Sequence, residues 1–173
     1  MVEHGGTKGF RGAADETERV HFAAGSQPEF GNAARSWAEK RGRINVKKLR
    51  VLIVDDSAVM RKIVERSLRQ AGLDLAEVLE ASNGVEALAE VRKGHLDLIL
   101  SDINMPSMDG IEFLRALAGL EEAQGVPVVM ITTEGSEARV VEALSVGAKG
   151  YIRKPFTAEQ VKERVSALVG GIS

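Results

Sequence analysis

Four places in this chain carry polar side chains that can together hold a divalent cation and accept a phosphoryl group. They are the acid pair Asp55-Asp56, the lone acid Asp102, the hydroxyl of Thr132 and the amine of Lys154. Three carboxylates brought close together repel one another unless a cation joins them. Because the set offers oxygen ligands without His or Cys, it favours Mg²⁺ over zinc or copper. Asp102 is then the candidate nucleophile for reversible phosphorylation.

Short apolar runs predict five buried strands, and the candidate residues follow four of them. The predicted strands are Arg50–Val54, Glu77–Ala81, Asp97–Ser101, Pro127–Ile131 and Lys149–Arg153. A helical segment follows each strand, so the chain alternates strand and helix throughout. Such alternation predicts a parallel sheet with helices on both faces. Ligands of these sheets bind beyond the carboxyl ends of the strands, where the candidate residues stand.

Local signals mark where the helices begin and end. Ser57 is placed to cap the first helix, whose inner face is predicted to carry Met60, Ile63, Val64, Ser67 and Leu68. Gly72 and Gly94 are natural stops for the first two helices. Further helices are predicted over Ile111–Leu117 and Glu137–Val146. Thr157 and Gln160 have capping-box spacing and open a last helix that runs to about Val169.

The strand order decides whether these residues meet. If the order is 2-1-3-4-5, strands 1 and 3 are neighbours about 4.8 Å apart, and the three aspartates share one pocket. Thr132 then stands beside strand 3. Lys154 stands two strands, or roughly 10 Å, away, a gap that only a long side chain crosses. The metal and the lysine would stabilise the phosphoryl oxygens, and Thr132 would donate to one of them.

Composition narrows the class of protein. The chain has 173 residues, a formal net charge of −2 and no Cys, so a disulfide framework and a thiolate metal site are both excluded. The net charge gives no reason to expect nucleic acid as a partner. No apolar run approaches the roughly 18 residues of a membrane helix, and the N-terminus lacks the apolar core of a signal peptide. We therefore expect a soluble, cytoplasmic protein that does not bind membranes.

Residues 1–46 differ from the rest of the chain. They hold many Gly, few aliphatic residues and scattered charges, without a sustained helical or strand period. Such a segment buries too little apolar surface to offset its ordering entropy, so we expect a disordered extension. A short helix over Asn32–Arg41 and a true translation start near Val46 are both open alternatives. The folded domain is predicted over residues 49–170.

With these motifs in place, the chain resembles the receiver domains of two-component response regulators, most closely the single-domain chemotaxis type. The resemblance covers about residues 49–170 and is carried by five motifs, namely Val51–Ser57, Ser101–Pro106, Met108–Gly110, Met130–Thr132 and Gly150–Phe156. It implies a flavodoxin-like fold, and the order 2-1-3-4-5 is a known property of that fold rather than a result of the residue pattern.

The resemblance also implies roles for individual residues. Asp102 would be the phosphoacceptor, and Mg²⁺ would be bound by Asp56, Asp102 and the backbone carbonyl of Asn104, with Asp55 acting mainly through water. Lys154, in a cis bond to Pro155, would pair with the acids and the phosphoryl group. Thr132 and Tyr151 would form the switch pair, and Asn104 and Glu134 would tune the site.

The function implied is that of a signalling switch rather than an enzyme. A histidine kinase would supply the phosphoryl group, and Mg²⁺-dependent uptake from a phosphodonor and slow self-dephosphorylation are expected. Because little chain follows Val169, output would pass through a partner on the face of helix 4, strand 5 and helix 5. That partner would be a motility switch protein, or alternatively a histidine phosphotransfer protein in a phosphorelay.

An enzyme of the haloacid dehalogenase type is a third reading, since it also uses an Asp nucleophile with Mg²⁺. That family requires Asp-x-Asp after its first strand. This chain has Asp55-Asp56-Ser57 there, and its candidate nucleophile follows the third strand. The residue pattern therefore disfavours a phosphatase of the haloacid dehalogenase type.

Overall fold

The computed structural model describes residues 47–133 and 135–170. The strands are β1 (Leu49–Val54), β2 (Leu75–Ala81), β3 (Leu98–Ser101), β4 (Val128–Thr132) and β5 (Gly150–Arg153). The helices are α1 (Ala58–Gln70), α2 (Gly84–Val91), α3 (Gly110–Leu117), α4 (Glu137–Val146) and α5 (Ala158–Ser166). A short 3₁₀ turn, Glu121–Ala123, precedes β4. The predicted extension, residues 1–46, lies outside the described residues.

The five strands form one parallel sheet in the order β2-β1-β3-β4-β5, which confirms the predicted order. The register at the centre places Val54 of β1 opposite Ser101 of β3. The residues that follow these two positions therefore leave the sheet side by side.

Each face of the sheet has its own apolar core, which is why the central strands β1, β3 and β4 are apolar along most of their length. Along β1, Leu52 and Val54 point to one core, while Val51 and Ile53 point to the other. The first core packs residues of α2 and α3, including Val91, Phe113 and Leu114. The second packs residues of α1 and α5, including Val64, Leu68, Val161 and Val165. The helices thus cover both faces, as the sequence predicts.

The helix caps agree with the sequence signals. The Ser57 hydroxyl accepts from Met60 N, and Thr157 and Gln160 form the expected capping box. Some limits differ, since β2 begins at Leu75 rather than Glu77 and α5 ends at Ser166 rather than Val169. The last turn of α5 tightens, because Leu168 N donates to Val165 O, three residues back.

The sequence pattern is wrong about one side chain that it assigns to the inner face of α1. Val64, Ser67 and Leu68 are buried, and Met60 packs against the same core, but Ile63 is 45% exposed. Ile63 precedes Val64 by one residue, about 100° around the helix, so it lies at the margin of the buried stripe.

Two ion pairs join α3 and α4, and each helix supplies the arginine of one pair. Arg139 of α4 donates through Nη2 to Asp109 Oδ2, the N-cap of α3, at 3.1 Å. Arg115 of α3 donates through Nη2 to Glu142 Oε1 of α4 at 2.6 Å. Ala143 is the one α4 side chain that is fully buried, whereas α3 buries five residues. The helix α4 is therefore packed less deeply than α3, and the two ion pairs add to its contacts with that helix.

Among the described residues, no helix combines the length and the apolar character that crossing a membrane requires.

Candidate functional site

The register of the central strands brings the acids together. Asp55 and Asp102 directly follow the paired residues Val54 and Ser101, and Asp102 N donates to Val54 O at 2.9 Å. One carboxylate oxygen from each of Asp55, Asp56 and Asp102 can be chosen so that all three lie within 4.8 Å of one another. Asp55 and Asp102 are buried, at 3% and 7% exposed, and Asp56 is open to solvent.

Lys154 reaches this cluster from β5, as its length predicts. Its Nζ donates to Asp55 Oδ2 at 2.6 Å and to Asp102 Oδ2 at 3.0 Å. Burial lowers the pKa of Lys154, but the hydrogen bonds and attraction of the two carboxylates outweigh it and hold the pKa above its ordinary value. The ammonium is therefore charged at neutral pH. Its peptide bond to Pro155 is cis, as the family resemblance implies.

The remaining oxygens of the two buried acids are held by backbone amides. Ser57 N donates to Asp55 Oδ1 at 2.9 Å. Ile103 N and Asn104 N donate to Asp102 Oδ1 at 2.6 and 3.3 Å. Both acids are thus fixed in direction before any ligand binds.

The donor set fits a divalent oxygen-preferring cation. Three carboxylates and one ammonium leave two negative charges, which one Mg²⁺ balances. Asp56 faces solvent, which gives a cation a route of entry and leaves room for water ligands. Mg²⁺ typically keeps several waters and binds one or two carboxylates, so the arrangement suits its chemistry.

The other predicted residues occupy different surroundings. Thr132 is fully buried at the end of β4, and its carbonyl accepts from Lys154 N at 2.9 Å. Tyr151 pairs in register with Met130 and is 40% exposed, so it lies at the surface rather than in the carboxylate cluster. Asn104 is exposed beside Asp102. Glu134 lies outside the described residues.

Gly110 is a residue of the site that the chemistry of side chains does not reveal. Its amide donates to Ile103 O at 2.8 Å, which folds the loop after Asp102 back on itself. A Cβ at this position would lie 2.1 Å from the backbone oxygen of Asp102 and 2.8 Å from Met130 Cε. Only glycine fits so close an approach. The Asp109-Gly110 turn sequence is the one signal for it.

We expect Gly110→Ala to lower the free energy of unfolding by about 2–3 kcal/mol, because the added methyl overlaps a backbone oxygen that cannot rotate away. Urea unfolding measures the change. Gly119→Ala is the matched control, since its Cβ would meet Ala116 O at 3.8 Å, an ordinary contact. Equal effects of the two substitutions would show that the loop has room at residue 110.

Known proteins are similar to this chain in sequence and in fold. The family model described as "Response regulator receiver domain" matches residues 51–166. Chemotaxis protein CheY-3 of Vibrio cholerae is 41% identical over 122 residues, which are 70% of this chain and 92% of that protein.

Two solved structures are similar in fold and sequence. The chemotaxis response regulator CheY4 of Vibrio cholerae is 38% identical with a TM-score of 0.63, and the match covers 70% of this chain and 99% of that one. The CheX–CheY–BeF3–Mg²⁺ complex of Borrelia burgdorferi contains a chain that is 31% identical with a TM-score of 0.63, over 70% of this chain and 90% of that one.

Proposed function

Because this chain belongs to the response regulator receiver domain family, we propose that Asp102 accepts a phosphoryl group from a histidine kinase and thereby switches a partner-binding face. A receiver domain is a signalling switch rather than a conventional enzyme, and the two Vibrio cholerae relatives named above are chemotaxis proteins. The observation that carries the proposal is the Asp102 carboxylate, which lies within reach of two further acids and of the Lys154 ammonium.

The transfer needs positioning and charge neutralisation more than covalent help. One oxygen of Asp102 attacks phosphorus, a P–O bond forms, and the bond from phosphorus to the donor's imidazole nitrogen breaks. The amides of Ile103 and Asn104 hold the other oxygen, so the carboxylate is already oriented. Lys154 balances the negative charge that the phosphoryl oxygens bring.

Magnesium, when bound, neutralises the acids and the incoming phosphoryl oxygens. Asp56, Asp102 and the Asn104 carbonyl would hold it directly. By the family resemblance Asp55 would act mainly through water, and its two oxygens accept from Ser57 N and Lys154 Nζ. The exposure of Asp56 leaves its carboxylate open to a cation, which supports its assignment as a protein ligand beside Asp102.

The modified residue would then act on the surface through Thr132 and Tyr151. A phosphoryl group adds about −1.5 to −2 charge and three acceptor oxygens. The Thr132 hydroxyl would move toward one of them, and Tyr151 would turn inward from its exposed position. Asn104 and Glu134 would tune the lifetime of the phosphorylated state. The face of α4, β5 and α5 would thereby change its affinity for a downstream motility or chemotaxis protein.

Incubation with a small phosphodonor and Mg²⁺ tests the first half of the proposal. We expect one acid-stable, base-labile phosphoryl group by intact mass, and none when EDTA removes the metal. No uptake from any small phosphodonor or cognate kinase would refute the proposal.

The second half concerns output. The beryllofluoride complex should bind a motility partner at least tenfold more tightly, which needs only about 1.4 kcal/mol. Tyr151→Ala should reduce that gain. Rapid transfer from Asp102 to a histidine phosphotransfer protein, with no motility partner retained, would instead favour the phosphorelay.

A further inference from the structure

Arg61 lies beside the carboxylate cluster without touching a carboxylate in it. It stands in the first turn of α1, and its side chain is only 15% exposed. Its Nη1 donates to the backbone oxygen of Asp55 at 2.7 Å, and its Nε donates to Glu80 Oε2, also at 2.7 Å. One guanidinium thus ties the loop after β1 to the end of β2.

The carbonyl that Arg61 holds belongs to the peptide between the two neighbouring acids. Asp55 is also fixed through its amide, which donates to Ala81 O, and through both carboxylate oxygens. In the part of the chain that the structure describes, no side-chain hydrogen bond holds the Asp56 carboxylate. The direction of Asp56 therefore depends on its backbone, and the Asp55–Asp56 peptide sets that direction.

Glu80 keeps the guanidinium in place and neutralises it. It lies opposite Ile53 in the register of β1 and β2, and its second oxygen accepts from Lys62 Nζ at 2.6 Å. The hydrogen bonds from Arg61 and Lys62 hold the pKa of Glu80 below its ordinary value, so the carboxylate is ionised at neutral pH. A bare cation so near a metal site would repel Mg²⁺, but the ion pair with Glu80 largely cancels that charge.

We infer that Arg61 is a positioning residue for the cation site: by fixing the Asp55–Asp56 peptide, it orients the Asp56 carboxylate toward Mg²⁺. The inference rests on the proposed function, because the cation is that of the proposed site. Arg is suited to the task, since its planar fork serves two acceptors at once, which a compact ammonium does not do in the same geometry.

The chain contains a close match to this arrangement at the other end of the sheet. Arg50 of β1 donates through Nε to Glu77 Oε2 of β2 at 2.7 Å and through Nη1 to the backbone oxygen of Gly94 at 3.2 Å. Arg50 thus also bridges a β2 glutamate and a backbone carbonyl, but it lies at the amino end of β1, far from the acids. Arg50→Lys is therefore the control for Arg61→Lys.

Arg61→Lys and Arg50→Lys both keep the positive charge and lose the planar guanidinium that serves two acceptors. Isothermal titration of the full chain with Mg²⁺ should show about tenfold weaker binding for Arg61→Lys, within the range for residues that orient metal ligands. Arg50→Lys should bind Mg²⁺ as the parent does. Melting temperatures without metal, measured in parallel, should fall by similar amounts in the two variants. A purely structural role predicts equal Mg²⁺ affinity in both, and that result would overturn the inference.

A second pair of variants covers the case in which Arg61→Lys does not fold. Glu80→Gln keeps an acceptor oxygen but loses the charge that holds the guanidinium, and Glu77→Gln is its counterpart at the far end. Weaker Mg²⁺ binding in Glu80→Gln alone supports the inference if it persists at an ionic strength that screens the uncompensated Arg61 charge. Equal binding in the two variants, or a loss that added salt removes, refutes it. Absence of Mg²⁺ binding by the unaltered chain would instead overturn the proposed site, which separates the two failures.

Discussion

The Asp102→Asn variant is expected to take up no phosphoryl group from a phosphodonor that fully modifies the parent chain. The amide has no nucleophilic carboxylate oxygen, so the P–O bond cannot form. It keeps a carbonyl oxygen for the amides of Ile103 and Asn104, and Lys154 stays paired with Asp55. We therefore expect the variant to remain folded while phosphorylation is lost. Intact mass after incubation with the donor and Mg²⁺ measures the result.

Asp109→Asn is the matched control, since Asp109 stands on the same loop. Its carboxylate caps α3 and pairs with Arg139 rather than facing the cluster. Burial raises the pKa of Asp109, but its hydrogen bonds to backbone amides and to Arg139 hold the pKa below its ordinary value. This variant should still take up one phosphoryl group. If Asp102→Asn is modified at the parent's rate, another residue is the phosphoacceptor.

Lys154→Ala and Asp56→Ala are expected to fail in opposite ways. Lys154 is the cation paired with two buried carboxylates, and removing one partner of such a pair costs about 3–5 kcal/mol. Mg²⁺ should offset much of that loss, because it supplies the missing positive charge. Binding of Mg²⁺ should be retained or tighter, whereas the phosphorylated variant should no longer gain affinity for its partner.

Asp56→Ala should instead lose Mg²⁺ binding and phosphorylation together while keeping its stability without metal. Its carboxylate is exposed, so little packing is lost with it. Thermal melts with and without Mg²⁺, together with titration calorimetry, separate the two variants. Lys149→Ala is the control for Lys154→Ala, because that exposed lysine directly precedes β5 and lies outside the site. Equal loss of Mg²⁺ affinity in Lys154→Ala and Asp56→Ala would refute this division of roles.

The sequence predicts the centre of the sheet well because the strands β1, β3 and β4 are buried on both faces. Continuous apolar runs such as Val51–Val54 mark these three strands, and the polar residue at the end of each run marks its carboxyl end. The strand order comes from the resemblance, since local pattern does not say which strands pair. Once the order is given, the meeting of Asp55 and Asp102 follows from strand spacing, and the reach of Lys154 follows from its length.

Contacts between different helices, strands and loops could not be predicted from the local sequence pattern. The approach of Gly110 to the Asp102 carbonyl is visible only when the loop has been built. Nothing in the sequence marks Arg61 as special, because one arginine on an amphipathic helix is ordinary. Its proposed role depends on its hydrogen bond to the backbone oxygen of Asp55, which only the structure shows. The exposure of Ile63 shows the limit of the helical period, which fixes the centre of a buried stripe better than its margins.

The contacts of α4 also set how readily that helix is displaced. Its single fully buried side chain is an alanine, while Val141 and Leu144 are exposed. Its ion pairs to α3 are partly solvated, and pairs of that kind contribute about 0–1 kcal/mol each. Local opening of α4 therefore costs less than that of α3, a difference that amide hydrogen exchange resolves. Rising ionic strength screens both ion pairs, so added salt should lower the cost of opening α4 and speed the exchange of its amides.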